Sequence, residues 1–167
     1  TRAGADRGRI YRIRPQHSAL RPVQNLSQMQ GAELAACMQT PNGTVRDLVQ
    51  QLILWNADLK AVPILQEMLH AQLPEVRLQA ASTLACLRQL DESTATQLLQ
   101  DSHPQVRRHA LRLCEQWLPS GKATASAVAA LRDDHADVVR MQLACTAGML
   151  PASQAGEVLA DLLSHTA

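Results

Sequence analysis

A valine-arginine pair that recurs four times is the strongest constraint on the fold of this 167-residue chain. The pairs begin at Val45, Val76, Val106 and Val139, so they are spaced by 31, 30 and 33 residues. A period of this length is typical of stacked helical hairpins, in which each unit is one pair of helices. The repeat therefore predicts an all-α protein.

The residues after each pair predict a helix, which we call helix B of the unit. Apolar side chains recur four and eight positions past each valine. This spacing places them on one face of an α-helix, where they can form a core. The positions are Val49 and Ile53, Ala80 and Leu84, Ala110 and Cys114, and Leu143 and Ala147.

A second apolar segment, helix A, precedes each helix B. A fifth such segment contains Val158, Leu159, Leu162 and Leu163, and no helix B follows it in this sequence. The pattern predicts four helix pairs plus part of a fifth. Because one unit cannot bury its apolar stripe alone, the units are expected to stack into one continuous core.

Polar residues between the predicted helices are candidate caps. Asp101 and Asp133 are expected to end helix A and to accept hydrogen bonds from exposed amides of the next helix. Ser93 or Thr94 is expected to cap the third helix A.

The charge is divided unevenly along the chain. Residues 1–22 hold six arginines against one acid, whereas residues 23–167 hold ten basic and fourteen acidic groups. A net acidic body is a poor surface for phosphates. We therefore expect residues 1–22 to be a basic tail and nucleic acid to be a disfavoured partner.

Motifs that carry chemistry are missing from the sequence. The four cysteines form no C-x-x-C pair, so no zinc or iron–sulfur ligand pattern is present. No G-x-S-x-G or phosphate-loop motif occurs, and no apolar run is long enough to cross a membrane. We expect the chain alone to be non-catalytic, with no cofactor, no metal and no transmembrane segment.

Two stretches resemble HEAT repeats of the phycobilisome-lyase type. Residues 58–69 are similar to helix A of that family, and residues 101–111 are similar to its turn and helix B. The resemblance implies a right-handed α-α superhelix, which is a HEAT/armadillo-like solenoid, over residues 23–167. In such solenoids, helix B lines the concave face, where protein partners bind.

A narrower resemblance involves residues 8–13, which read GRIYRI, and residues 76–80 and 139–144. Together they resemble the HEAT region of planctomycete-type membrane-bound dehydrogenases, which are haem-binding c-type cytochrome proteins. The resemblance implies that residues 1–22 include the last strand of an upstream β-propeller. It also implies haem c in the parent protein and a periplasmic or membrane-associated location. The chain itself lacks both the propeller and the C-x-x-C-H motif.

The repeated arginines are predicted to form a structural ladder. Each lies near the start of a helix B and is expected to pair with an acid or a turn carbonyl of its neighbour. The alternative is a row of anion-binding groups. The four are Arg46, Arg77, Arg107 and Arg140.

Positions two, three and six past each valine are expected to point away from the core. Arg108, His109 and Arg112 form the only basic cluster there, and they could receive an acidic loop or a phosphate; the alternative is a solvated helix face. The full candidate interaction surface is Gln51, Gln79, Ser82, Arg108, His109, Arg112 and Gln142.

These features favour a protein-interaction or spacer module that connects the propeller and cytochrome domains of a larger dehydrogenase. One alternative is a nucleic-acid-binding HEAT-like protein, which needs a basic face and aromatic side chains. Another is a cofactor-maturation protein similar to the lyases that share this repeat.

Overall fold

The computed structural model describes residues 24–119 and 121–164, together with residues 13, 16 and 17. Apart from residue 13, the predicted strand at residues 8–13 lies outside this part, as does nearly all of the predicted tail. Within the described ranges the protein is all-helical. Its helices are α1 (Gly31–Ala36), α2 (Gly43–Trp55), α3 (Val62–Met68), α4 (Pro74–Cys86), α5 (Glu92–Leu98), α6 (Pro104–Cys114), α7 (Lys122–Ala129), α8 (Asp137–Thr146) and α9 (Ala152–Ser164).

The even-numbered helices are the predicted B helices, and each packs against the next one. Helix α2 contacts α4, α4 contacts α6, and α6 contacts α8. Each of the first three also packs against the odd-numbered helix before it. This contact pattern is compatible with a repeat of helical hairpins.

The predicted core positions are buried. All eight apolar residues at four and eight positions past the repeated valines are at most 1% exposed. Alanine at several of these positions lets neighbouring helices approach closely, which suits a core with few aromatic side chains. On α9, Val158 is buried, whereas 40% of the Leu159 surface is exposed.

Two predicted caps are wrong by a small shift in register. Asp91, and neither Ser93 nor Thr94, caps α5, because the Asp91 backbone is extended and its carboxylate accepts from the Thr94 amide at 2.7 Å. In the fourth unit Asp133 ends the helical segment, as predicted, but the carboxylate that accepts a bond from a turn amide is that of Asp134, from Ala136 at 2.9 Å. A 3-10 turn at Ala130–Asp133 prolongs α7, so the extended backbone begins at Asp134 and not at Asp133.

Proline and polar side chains explain where several B helices begin. Pro74 and Pro104 occupy the first position of α4 and α6, where the missing amide proton costs no hydrogen bond. Asn42 caps α2 by accepting from the Thr44 amide at 3.1 Å. Among the described helices, none combines the length and the apolar character needed to cross a membrane.

Candidate functional site

The four repeated arginines share one anchor. Each donates a hydrogen bond from Nη1 to the main-chain carbonyl six residues earlier, in the turn before its own helix. The guanidinium therefore closes the turn of its own unit. The bonds join Arg46 to Thr40 at 2.8 Å, Arg77 to Ala71 at 2.8 Å, Arg107 to Asp101 at 2.8 Å and Arg140 to Asp134 at 2.6 Å.

Two of these arginines also reach the turn of the following unit. Arg77 holds the carboxylate of Asp101 with two bonds of 2.7 and 2.6 Å, from Nε and Nη2. Arg107 holds Asp134 in the same way, at 2.7 and 2.8 Å. All four side chains are at most 16% exposed. Bidentate pairs of this kind fix orientation as well as distance, so they set the stacking of neighbouring turns.

Each aspartate also organises its own turn. Asp101 Oδ1 accepts from the His103 amide at 2.7 Å, and Asp134 Oδ1 accepts from the Ala136 amide at 2.9 Å. His103 in turn caps α6, since its Nδ1 accepts from the Gln105 amide at 3.3 Å. One carboxylate thus links a cap, a turn and an arginine of the preceding unit.

Charge pairing shifts the pKa of these groups. Burial alone would raise the pKa of Asp101, but the bonds from Arg77 and from the His103 amide hold it below its usual range. The bond from Arg107 lowers the pKa of Asp134 against the opposing effect of burial. The same bonds raise the pKa of Arg77 and of Arg107.

Acidification is expected to destabilise the protein through these two carboxylates. A depressed folded-state pKa means that their contribution is complete above the unfolded pKa of about 3.9, and that it is lost as the pH falls through the folded-state pKa. Urea unfolding followed by circular dichroism across a pH series should show this loss below about pH 4. In the variant Asp101→Asn/Asp134→Asn the acid slope should be shallower; an unchanged slope would contradict the assignment.

We call an arginine paired with a carboxylate of the next unit a rung of the ladder, and at Arg46 this rung is incomplete. Where the third and fourth units carry Asp101 and Asp134, the second unit carries Ala71. The Nε of Arg46 is buried and has no hydrogen-bond partner. Arg140 differs again, because its Nη2 donates to Asp137 in its own helix, and that carboxylate is largely exposed.

A second set of polar contacts joins the B helices directly. Gln79 on α4 donates to Gln50 at 2.6 Å and to Asp47 at 3.2 Å, both on α2. Thr146 at the end of α8 donates to Glu115, which follows α6, at 2.8 Å. Position three past the repeated valine is half-buried at Gln79, His109 and Gln142 but exposed at Leu48.

The candidate surface therefore divides into two groups. Gln51 and Arg112 are exposed to solvent on α2 and α6. Gln142 is half-buried and donates to Thr146 at 3.3 Å within α8. Ser82 and His109 lie between α4 and α6, where the Ser82 Oγ and the His109 Nε2 are 2.8 Å apart.

The Ser82–His109 contact is structural in its geometry. Ser82 Oγ also donates to the Leu78 carbonyl of its own helix, at 2.9 Å. A hydroxyl has one proton; when it is assigned to this carbonyl, the matching tautomer of His109 carries its proton on Nε2 and donates to Ser82. A serine whose proton is directed at a main-chain carbonyl is not activated for nucleophilic attack.

Arg108, His109 and Arg112 form what we call the basic cluster. Together with Leu78 and Gln105 they line a depression of about 100 Å³. Within the described ranges neither arginine forms an ion pair, and Arg108 donates to Gln105 at 3.4 Å. Burial, followed by the charges of Arg112 and Arg108, lowers the pKa of His109.

Metal ligation has no support in the part of the chain that the structure describes. No group of three histidine, cysteine or carboxylate side chains is placed to hold a metal ion there. The four cysteines are free thiols, and burial raises the pKa of Cys114 to about 12.

Sequence reasoning missed the carboxylate partners of the ladder. A usable signal was present, because Asp101 and Asp134 each lie six residues before the arginine of their own unit. The contacts of Gln79 and Ser82 had no such signal, since they depend on how neighbouring helices are rotated.

No protein-family model, no curated protein and no solved structure matches this chain. The site is therefore interpreted from the chemistry of its own residues.

Proposed function

We propose that this chain is a non-catalytic interaction or spacer module. In this proposal its hairpins form a right-handed α-α superhelix of the HEAT type, with four helix pairs plus part of a fifth. The B helices present their outer face to a protein partner. Stacking of α2, α4, α6 and α8 in order supports the arrangement.

The observation that carries the proposal is the contrast between two sets of arginines. Arg77 and Arg107 are bound to carboxylates of the next unit, which is a structural use of charge. Arg108 and Arg112 lie on α6 with Arg107 but form no ion pair in the described ranges. Cations that are not used for folding and lie in a depression are suited to an external partner.

Site-specific crosslinking tests the proposal in the natural cells and in the full gene product. A photoreactive residue at Gln51, exposed on α2, should crosslink to a protein. The same residue at Gln66, exposed on the odd-numbered helix α3, is the matched control and should not. Equal crosslinking at both positions, or none at Gln51, would count against the B-helix surface.

The wider role proposed is that of a connector in a larger dehydrogenase with propeller and c-type cytochrome domains. The natural gene product, isolated from its own cells, should then be several times heavier than the 18.2 kDa of this chain and should show a c-type haem spectrum. A haem-free product of this size would exclude the connector role and leave the interaction role standing.

A further inference from the structure

The basic cluster is a preformed set of donors with little internal competition. Arg112 is exposed, Arg108 is half-buried, and both border the 100 Å³ depression above Leu78. Among the described residues, those that line this depression include no carboxylate. An incoming anion there would therefore meet no lining acid that competes for the arginines.

Exposed apolar side chains also occur on other B helices. On α2, 46% of the Leu48 surface is exposed, and on α8, 59% of the Met141 surface is exposed. Half-buried Leu78 on α4 lines the depression itself. A ligand that offers only phosphate would leave these side chains uncovered, whereas a peptide with apolar and acidic residues would cover them.

The chain also shows how its arginines hold carboxylates. Arg77 and Arg107 each bind an aspartate carboxylate through two parallel hydrogen bonds of 2.6–2.8 Å. Planar carboxylates fit the guanidinium edge in this way. Acidic side chains are accordingly the ligands that fit the unpaired arginines of the cluster.

We propose that the basic cluster binds an acidic peptide segment of a partner protein, with carboxylates on Arg108 and Arg112 and an apolar side chain over Leu78, and that His109 takes up a proton on binding. The inference rests on the proposed interaction function and names the chemistry of the partner. Leu48 and Met141 extend the surface along the neighbouring B helices.

Proton uptake follows from the surroundings of His109. Its Nε2–H is directed at Ser82, so the incoming proton goes to Nδ1. The charges next to it are Arg108 and Arg112 on its own helix, while the residues of α4 beside it, Ser82 and Leu78, are uncharged. Bound carboxylates offset both guanidinium charges, which favours the imidazolium, so affinity should rise as the pH is lowered and His109 becomes protonated.

Fluorescence anisotropy with the full chain provides the test. The probe is a labelled, capped peptide in which glutamates alternate with leucine, and the matched control peptide carries glutamine in place of glutamate. The acidic peptide should bind, and added salt should weaken it. Arg112→Gln should weaken binding about threefold, and Arg108→Gln/Arg112→Gln at least about fivefold.

Two control variants separate the cluster from general charge effects. Lys122→Gln removes one positive charge from an exposed position on α7 that does not line the depression, and it should leave binding unchanged. His109→Gln preserves a donor toward Ser82 but cannot take up a proton, so the pH dependence of binding should disappear. Unfolding curves of each variant show whether it is folded.

Equal binding of the two peptides, or undiminished binding by the double arginine variant, would overturn the inference. So would tighter binding of a random single-stranded oligonucleotide with no binding of the peptide, which would assign the cluster to nucleic acid. If Gln51 still crosslinks to a protein in Arg108→Gln/Arg112→Gln and the acidic peptide does not bind, the acidic partner is rejected and the interaction function is retained. If neither the crosslink nor peptide binding is seen, both the acidic partner and the interaction function are rejected.

Discussion

Asp101→Ala is expected to lower the free energy of unfolding by roughly 2–4 kcal/mol. The substitution removes both bonds to Arg77 and the bond to the His103 amide, which leaves a nearly buried guanidinium without its counter-charge. Breaking a buried pair from one side is costly because the remaining charge stays desolvated. The main-chain bond from Arg107 to the carbonyl at position 101 should survive.

Urea denaturation followed by circular dichroism measures the effect. Glu67→Ala removes an acid of the same charge from the exposed surface of α3 and should change stability by less than about 0.5 kcal/mol. Asp101→Asn should fall between the two, because the amide can still accept from His103. If Asp101→Ala costs no more than Glu67→Ala, the rung does not hold the units together.

Ala71→Asp is expected to raise the free energy of unfolding by about 1–2 kcal/mol. Position 71 is equivalent to Asp101 and Asp134, since its carbonyl accepts from the arginine six residues later in the same way. A carboxylate there would reach the buried, unpartnered Nε of Arg46 and could accept from the Leu73 amide. The substitution completes a rung that the repeat leaves open.

Matched variants identify the source of the gain. Ala71→Asn can accept from the Leu73 amide but cannot form a bidentate ion pair, so it should recover only part of the stability. In an Arg46→Gln background the gain from Ala71→Asp should shrink by at least half, which a double-mutant cycle measures directly. A gain that is the same in both backgrounds would show that the carboxylate does not pair with Arg46.

The two ladder variants also bear on function. Both act on the turns between units, away from the basic cluster on α6, so peptide binding by the folded protein should be unaltered. The cluster and the ladder would then be separate uses of arginine within one repeat: Arg107 for stacking, and its neighbour Arg108 for a partner.

Much of the secondary structure was predictable because the helical period leaves a direct trace in the chain. Apolar residues four and eight past each repeated valine must share a face, and all of them are buried. Cap residues were less predictable. Several candidates stood close together near Asp91 and Asp134, and a single 3-10 turn at Ala130–Asp133 was enough to move the boundary by one residue.

The sequence by itself determined the helical repeat, its buried positions and the place of the arginines, because these depend on periodicity within each unit. Tertiary structure alone decided which carboxylate each arginine meets, that Arg46 lacks one, and that Ser82 contacts His109. Those outcomes depend on the rotation and spacing of one hairpin against the next. They arise from contacts between residues 24 to 32 positions apart. The recurrence of Asp101 and Asp134 six residues before an arginine marks their place in the unit but not the arginine of the preceding unit that they bind.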